Sequence, residues 1–161
     1  MIRLDPTKGA YGWLSYTLSW AQRRNTPDAD WRPSDYDQRH VLTALAGYNL
    51  PLGFDVGVRV RVATGFPRTE VTGSFYDVRR DLYQPLFGAQ NQLRLPTFFQ
   101  ADLRLAKGFH VARHTIDLSL EVQNVTNQKN AEEFIYNADY SQRGTIRGLP
   151  ILPVLGLRWS W

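Results

Sequence analysis

The sequence predicts an all-β chain, an antiparallel up-and-down transmembrane β-barrel segment of about six strands. Three observations predict it. Apolar and polar residues alternate with a period of two in several segments. Tight and long connections alternate between those segments, and aromatic residues sit near the segment ends. Residues two apart share one face of a strand, whereas at 100° per residue the same spacing would smear around a helix. The longest uninterrupted apolar runs are a few residues, far short of the roughly 20 that a transmembrane helix needs. Residues 1–15 hold no apolar signal-peptide core. A tilted barrel strand needs only about 9–11 alternating residues and looks mildly hydrophobic.

The first strand, near 10–22, sets Leu14, Tyr16, Leu18 and Trp20 against Trp13, Ser15, Thr17 and Ser19. A long polar loop follows over 23–38. In the second strand, near 39–50, His40, Leu42, Ala44, Ala46, Tyr48 and Leu50 alternate with Val41, Thr43, Leu45, Gly47 and Asn49. This contrast is weaker because both faces hold apolar residues. Pro51-Leu52-Gly53 links it tightly to the third strand, near 53–66, where the pattern is clearest. There Phe54, Val56, Val58, Val60, Val62, Thr64 and Phe66 oppose Asp55, Gly57, Arg59, Arg61, Ala63 and Gly65. A long loop covers 67–97. The fourth strand, near 98–108, sets Phe99, Ala101, Leu103 and Leu105 against Gln100, Asp102, Arg104 and Ala106. After a short turn comes the fifth, near 114–125. Its Ile116, Leu118, Leu120 and Val122 oppose Thr115, Asp117, Ser119, Glu121 and Gln123. A third long loop, 126–152, leads to the last strand, near 153–161, with Leu155, Leu157, Trp159 and Trp161 against Val154, Gly156, Arg158 and Ser160.

Short turns on one side and long loops on the other are the layout of outer-membrane barrels, and long structureless loops count against a compact soluble domain. Trp20, Tyr48, Phe54, Phe66, Phe99, Trp159 and Trp161 suit interfacial girdles. On this reading the apolar face meets lipid, and Arg59, Arg61, Asp102, Arg104, Asp117, Glu121 and Arg158 face a polar interior. Alternation alone also fits a soluble antiparallel sandwich. Single-chain bacterial barrels start at eight strands, and an open sheet in lipid leaves two unsatisfied edges. The chain is therefore expected to be part of a larger barrel, one of several chains closing a barrel together, or a truncated product.

Several segments carry more specific motifs. The stretch Arg94-Leu-Pro96-Thr-Phe98-Phe-Gln-Ala-Asp102-Leu-Arg104-Leu-Ala-Lys107-Gly-Phe109 is followed by Glu121-Val122-Gln-Asn124-Val125-Thr-Asn127-Gln-Lys129-Asn130. The tail is Gly148-Leu-Pro150-Ile-Leu-Pro153-Val-Leu-Gly156-Leu-Arg158-Trp-Ser-Trp161, and Asp35-Tyr36-Asp37-Gln38-Arg39-His40 lies upstream. Together these resemble the C-terminal part of a TonB-dependent outer-membrane receptor, with Trp161 where that family more usually has Phe. The resemblance implies a barrel of about 22 strands, of which this chain would be roughly the last quarter. It also implies an N-terminal plug and a TonB-coupled uptake of siderophore, metal chelate or saccharide. Expected partners are outer-membrane lipid, the rest of the barrel and the plug, TonB through the absent N-terminal part, and the barrel assembly machinery. The expected location is the bacterial outer membrane, and Trp159 and Trp161 would serve as the assembly signal. The alternatives are a passive porin-like pore subunit or a soluble β-sandwich binding domain.

No enzyme is expected. Without cysteine there is no disulfide, thiolate zinc site or cysteine nucleophile. Ser15, Ser19 and Ser119 have no identifiable base, and no phosphate-binding glycine loop runs from a strand into a helix. His40, His110 and His114 lack the spacing of a metal pair. Asp28, Asp30, Asp35 and Asp37 share one loop and read as a solvated outer loop. No cofactor or metal is expected. Nineteen basic residues against 15 acidic ones give a net charge of +4, spread along the chain. That is too even to imply nucleic acid. Ligand contact is expected from the long loops, at Tyr76, Arg79, Arg80, Tyr83 and Phe87 and at Tyr136, Tyr140, Arg143 and Arg147. Planar donors mixed with aromatic faces suit anionic or sugar-like ligands. Asn124, Asn127 and Asn130 are read as structural, hydrogen-bonding the backbone where a strand turns into a loop.

Overall fold

The structure is a computed structural model that describes every residue except Lys8 and Ala112, and the side chains of all others except residues 4–7. Its strands are β1 (Ile2–Thr7), β2 (Ala10–Leu18), β3 (Gln22–Arg23), β4 (Arg32–Pro33), β5 (His40–Leu50), β6 (Phe54–Ala63), β7 (Pro67–Arg68) and β8 (Val71–Asp77). They continue with β9 (Leu82–Phe87), β10 (Leu93–Arg94), β11 (Phe98–Val111), β12 (His114–Gln123), β13 (Ala131–Tyr136), β14 (Arg143–Arg147) and β15 (Leu152–Ser160). One antiparallel sheet of seven strands, in the order β1-β2-β5-β6-β11-β12-β15, carries the molecule. Four two-stranded sheets decorate it, pairing β3 with β4, β7 with β10, β8 with β9 and β13 with β14.

The period-two pattern fixes the faces of the large sheet. Arg59 stands opposite Asp102 on one side and Leu45 on the other, while Val58 stands opposite Leu103 and Ala46. Carrying the register across β12 and β15 puts Glu121, Asp117 and Arg158 on the Arg59 face, and Leu118, Leu157 and Trp159 on the Val58 face. One face is therefore polar and the other apolar. Pro51–Gly53 forms a single 3₁₀ turn between β5 and β6, with Leu52 in the left-handed region at φ 65°. Pro153 lies inside β15, which is tolerable because β15 is an edge strand and its missing N–H costs no ladder bond on the outer side.

The transmembrane-barrel expectation is corrected by this topology. Among the described residues no sheet closes on itself. The large sheet ends in β1 on one side and β15 on the other, and the remaining strands belong to separate small sheets. Edge N–H and C=O groups left unpaired in hydrocarbon would cost several kcal/mol each, so this arrangement is not a transmembrane barrel fold. Alternation dictates which face a side chain takes but is blind to closure, and tight and long connections alternate in this open antiparallel sheet as they would in a barrel. An open sheet also encloses no lumen, so Arg59, Arg61, Asp102, Arg104, Asp117, Glu121 and Arg158 line one face of a sheet rather than a barrel interior. The expected outer-membrane location falls with the barrel. So do lipid, the remaining barrel and plug, TonB and the assembly machinery as partners, and with them the assembly-signal role of Trp159 and Trp161. Among the described residues no helix is long and apolar enough to cross a membrane.

What the structure shows is a set of open antiparallel sheets with a thin core. Among the described residues the buried apolar side chains include Ala63, Pro67, Leu95 and Ala101. They gather where β6 ends and β11 begins, the end of the sheet from which the long connections leave. Among the described residues no element covers the apolar face, so Leu103 is 46% exposed and Leu157 71%.

Candidate functional site

The long connections, expected as loops, contain their own hairpins. Val71–Asp77 pairs with Leu82–Phe87, and Ala131–Tyr136 pairs with Arg143–Arg147, each with a register irregularity near its base. Three polar joints hold these connections to the sheet.

The first joint is Asp37, 2% exposed. Its Oδ1 accepts the Ala21 N–H at 2.8 Å, its Oδ2 accepts the Arg94 guanidinium, and Arg94 Nη1 also donates to the Asp37 carbonyl at 2.6 Å. Burial alone would raise the Asp37 pKa. The Ala21 N–H and the Arg94 and Arg39 charges outweigh burial and hold the carboxyl below its ordinary value.

The second joint is Asn124, in the left-handed region at φ 50°, where a short amide is well tolerated. Its Nδ2 donates to the carbonyls of Gln128 and Leu149, and its Oδ1 accepts the Gln128 N–H at 2.9 Å. Asn130 completes the corner by imitating a strand neighbour. Its Oδ1 accepts the Phe99 N–H at 2.9 Å and its Nδ2 donates to the Phe99 carbonyl at 2.8 Å.

The third joint is Asp102. Its Oδ2 accepts Arg59 Nε and Nη2 at 2.9 and 2.7 Å, and its Oδ1 accepts Gln100 Nε2 and the Asn124 N–H, each at 2.8 Å. Burial pushes this carboxyl up, but the four donors prevail and its pKa is lowered.

The two long hairpins are fastened to each other. Arg68 Nε donates to both oxygens of Glu133 at 2.7 and 2.9 Å, which with the Phe134 N–H lowers the Glu133 pKa against the opposing effect of burial. Ser74 Oγ donates to the Asp139 carbonyl and the Val71 N–H donates to the Tyr136 hydroxyl at 3.4 Å. Arg143 lies 3.6 Å from Glu70 and its guanidinium covers the Phe134 ring at 4.7 Å.

The expected ligand-contact residues divide on this frame. Tyr76 and Tyr83 form a tilted pair with ring centroids 5.2 Å apart, and the Tyr76 hydroxyl donates to Asp81, which raises its pKa and keeps it protonated. Tyr136 and Tyr140 form a second pair at 6.0 Å. Arg80 lies 3.8 Å from Asp77. Arg79 and Arg147 are exposed and have no carboxylate partner among the described residues. Arg143 and Tyr136 are committed to the joint between the hairpins, and Phe87 lies exposed at the end of β9.

The polar-face residues pair across strands. Besides Arg59 with Asp102, Arg104 Nη1 donates to Asp55 Oδ1 at 3.2 Å and the Tyr11 hydroxyl donates to Asp55 Oδ2 at 2.8 Å. Asp117 and Arg158 face each other in register, and Glu121 accepts from Gln123 at 3.4 Å. In the first loop, Asp35 pairs with Arg23 at 3.0 Å and Asp28 and Asp30 are exposed, and no cluster of potential metal ligands occurs among the described residues. His40 Nδ1 is 2.7 Å from the Tyr16 hydroxyl, and His114 packs against Trp159. Sequence reasoning missed Arg68, Glu70, Glu133 and Asp139, the residues that fasten the hairpins. The signal was present as complementary charge, Arg68 and Glu70 in one connection against Glu133 and Arg143 in the other.

Comparison of the chain with family models, with curated proteins and with solved structures yields no match. The resemblance to TonB-dependent receptors in its motifs is therefore not carried by any family match, and the open sheets contradict the fold it implies.

Proposed function

We propose that this chain is a non-enzymatic binding domain that takes an anionic or sugar-like ligand across the faces and tips of its two long hairpins. The observation that supports this reading is the fastening of the hairpins by Arg68–Glu133 and by Ser74 to the Asp139 carbonyl. A ligand surface held by internal ion pairs and hydrogen bonds loses less conformational freedom on binding than a free loop would. On this platform Tyr76, Tyr83, Tyr136 and Tyr140 offer aromatic faces for sugar rings. Arg79, Arg80 and Arg147 offer planar donors for carboxylates or phosphates, while Arg143 holds the joint.

The test is an NMR titration of the full chain with trigalacturonate as an acidic sugar and maltotriose as its neutral counterpart. Trigalacturonate is expected to shift resonances of the 71–87 and 131–147 hairpins. Replacing both Arg79 and Arg147 by Ala is expected to weaken it about tenfold or more, the scale of a lost charge-assisted contact. Trigalacturonate binding no tighter than maltotriose, or shifts confined to the sheet, would overturn the proposal.

A further inference from the structure

A separate cavity of about 340 Å³ lies below the hairpins, where β6 ends and β11 begins. Phe66, Leu95, Pro96 and Phe98 give it apolar walls, and Arg61 and Glu132 supply charge. Its size falls in the range of small-molecule pockets, roughly 300–1,000 Å³.

Arg61 differs from Arg59 and Arg104 on the polar face. Arg59 is bonded to Asp102, Arg104 to Asp55, and Arg158 faces Asp117. The cross-strand neighbours of Arg61 are Thr43 and Gln100, both neutral, and no carboxylate pairs with it among the described residues. Its guanidinium instead covers the Phe98 ring at 5.5 Å, held between an aromatic face and the cavity. Arg68, the other cation on the wall, is already committed to Glu133. Among the described residues the cavity therefore presents one planar cation without a carboxylate partner beside aromatic and aliphatic walls, which complements a carboxylate attached to a flat apolar body. Glu132 on the same wall disfavours a second negative charge.

From this geometry we infer a second binding site, for a small aromatic monocarboxylate, with Arg61 holding the carboxylate and Phe66, Leu95 and Phe98 enclosing the ring. It is distinct from the hairpin-tip surface and does not depend on it.

Naphthalene-2-carboxylate is the probe, with naphthalene-2-carboxamide as its neutral isostere and naphthalene-2,6-dicarboxylate as its dianion, all titrated against the full chain by NMR. The monocarboxylate is expected to bind at least tenfold more tightly than either relative and to shift Leu95 and Phe98 resonances. Arg61→Gln is expected to abolish that preference while leaving the amide unaffected. Among the described residues Arg61 has no ion-pair partner, so this variant is expected to keep the fold, which its circular dichroism spectrum checks. Phe98→Leu is expected to weaken carboxylate and amide together. If carboxylate and amide bind equally, if Arg61→Gln changes nothing, or if no probe binds at millimolar concentration, the inference fails. Shifts spread over the Leu103 and Leu118 face would mean that the ring meets the exposed apolar sheet instead, and would also overturn it.

Discussion

Asp37 and Asp102 carry more of the structure than their size suggests, because each carboxylate collects donors from separate segments. Asp102 joins β6, β11 and the corner after β12, and Asp37 joins the first long connection to Arg94 in the second. Their lowered pKa values, and that of Glu133, make stability depend on pH with a definite sign. A native carboxylate with a depressed pKa binds fewer protons than the same group in the unfolded chain, so stability rises with pH through that interval. The contribution is complete above the unfolded carboxylate value of about 4. It is lost as pH falls through the native values. Urea unfolding at a series of pH values should show a plateau from neutral pH down to about 5 and a decline below about 4. Asp102→Asn should flatten that decline and cost about 2–3 kcal/mol at pH 7, against less than about 0.5 kcal/mol for Glu121→Gln, whose bond from Gln123 is long. A decline of equal steepness in Asp102→Asn would show that other carboxylates govern it. The amide readings at Asn124 and Asn130 were legible because short polar side chains at strand ends have few other uses. Asp37 was visible only as one of four acidic residues in a loop, since its partner Arg94 is remote in sequence.

At the scale of elements, legibility followed exposure. Six of the seven strands of the large sheet have unlike faces, so period two marked them, and the same parity assigned their faces. The hairpin strands β8, β9, β13 and β14 are mostly exposed or half-exposed on both sides, so no alternation was imposed on them. Pro85 within β9, Gly73 within β8 and Gly144 within β14 argued further against strands. β1 was missed for the same reason, since Asp5 and Pro6 interrupt it. Such hairpins are marginal alone, so their order must depend on the contacts between them. Arg68→Ala should therefore raise amide exchange in 71–87 and 131–147 by about ten- to a hundredfold, equivalent to roughly 1.4–2.8 kcal/mol of local opening. Protection in β5, β6 and β11 should stay unchanged. Hydrogen–deuterium exchange of the two proteins side by side reads this directly. Equal loss of protection in the central strands would mean that the hairpins and the sheet unfold as one unit.

The property of the whole molecule hardest to see in the sequence was closure. Whether β1 meets β15 depends on the accumulated twist and tilt of seven strands, and no local residue pattern reports it. The motifs resembling a receptor's C-terminal strands therefore pointed to a closed architecture that the open sheets do not form. Openness has a mechanical consequence at the apolar face. From strand spacing and rise, seven strands of about ten residues present roughly 1,000 Å², larger than the apolar patches that monomeric proteins commonly expose. A side chain already exposed there loses little when made polar. At low protein concentration Leu118→Lys should cost less than about 1 kcal/mol of unfolding free energy, as surface substitutions do. The same change in a strand facing mid-bilayer hydrocarbon would cost about 2–4 kcal/mol. The unmodified chain should associate in dilute aqueous buffer as its concentration rises, because roughly 25 cal/mol per Å² favours covering that face, and Leu118→Lys combined with Leu157→Lys should weaken the association. Sedimentation velocity across a concentration series and urea unfolding of the single variant measure the two effects independently. A small folding cost with weakened association fits a face open to water in the monomer. A cost of several kcal/mol would show that the face is buried even when the chain is dilute.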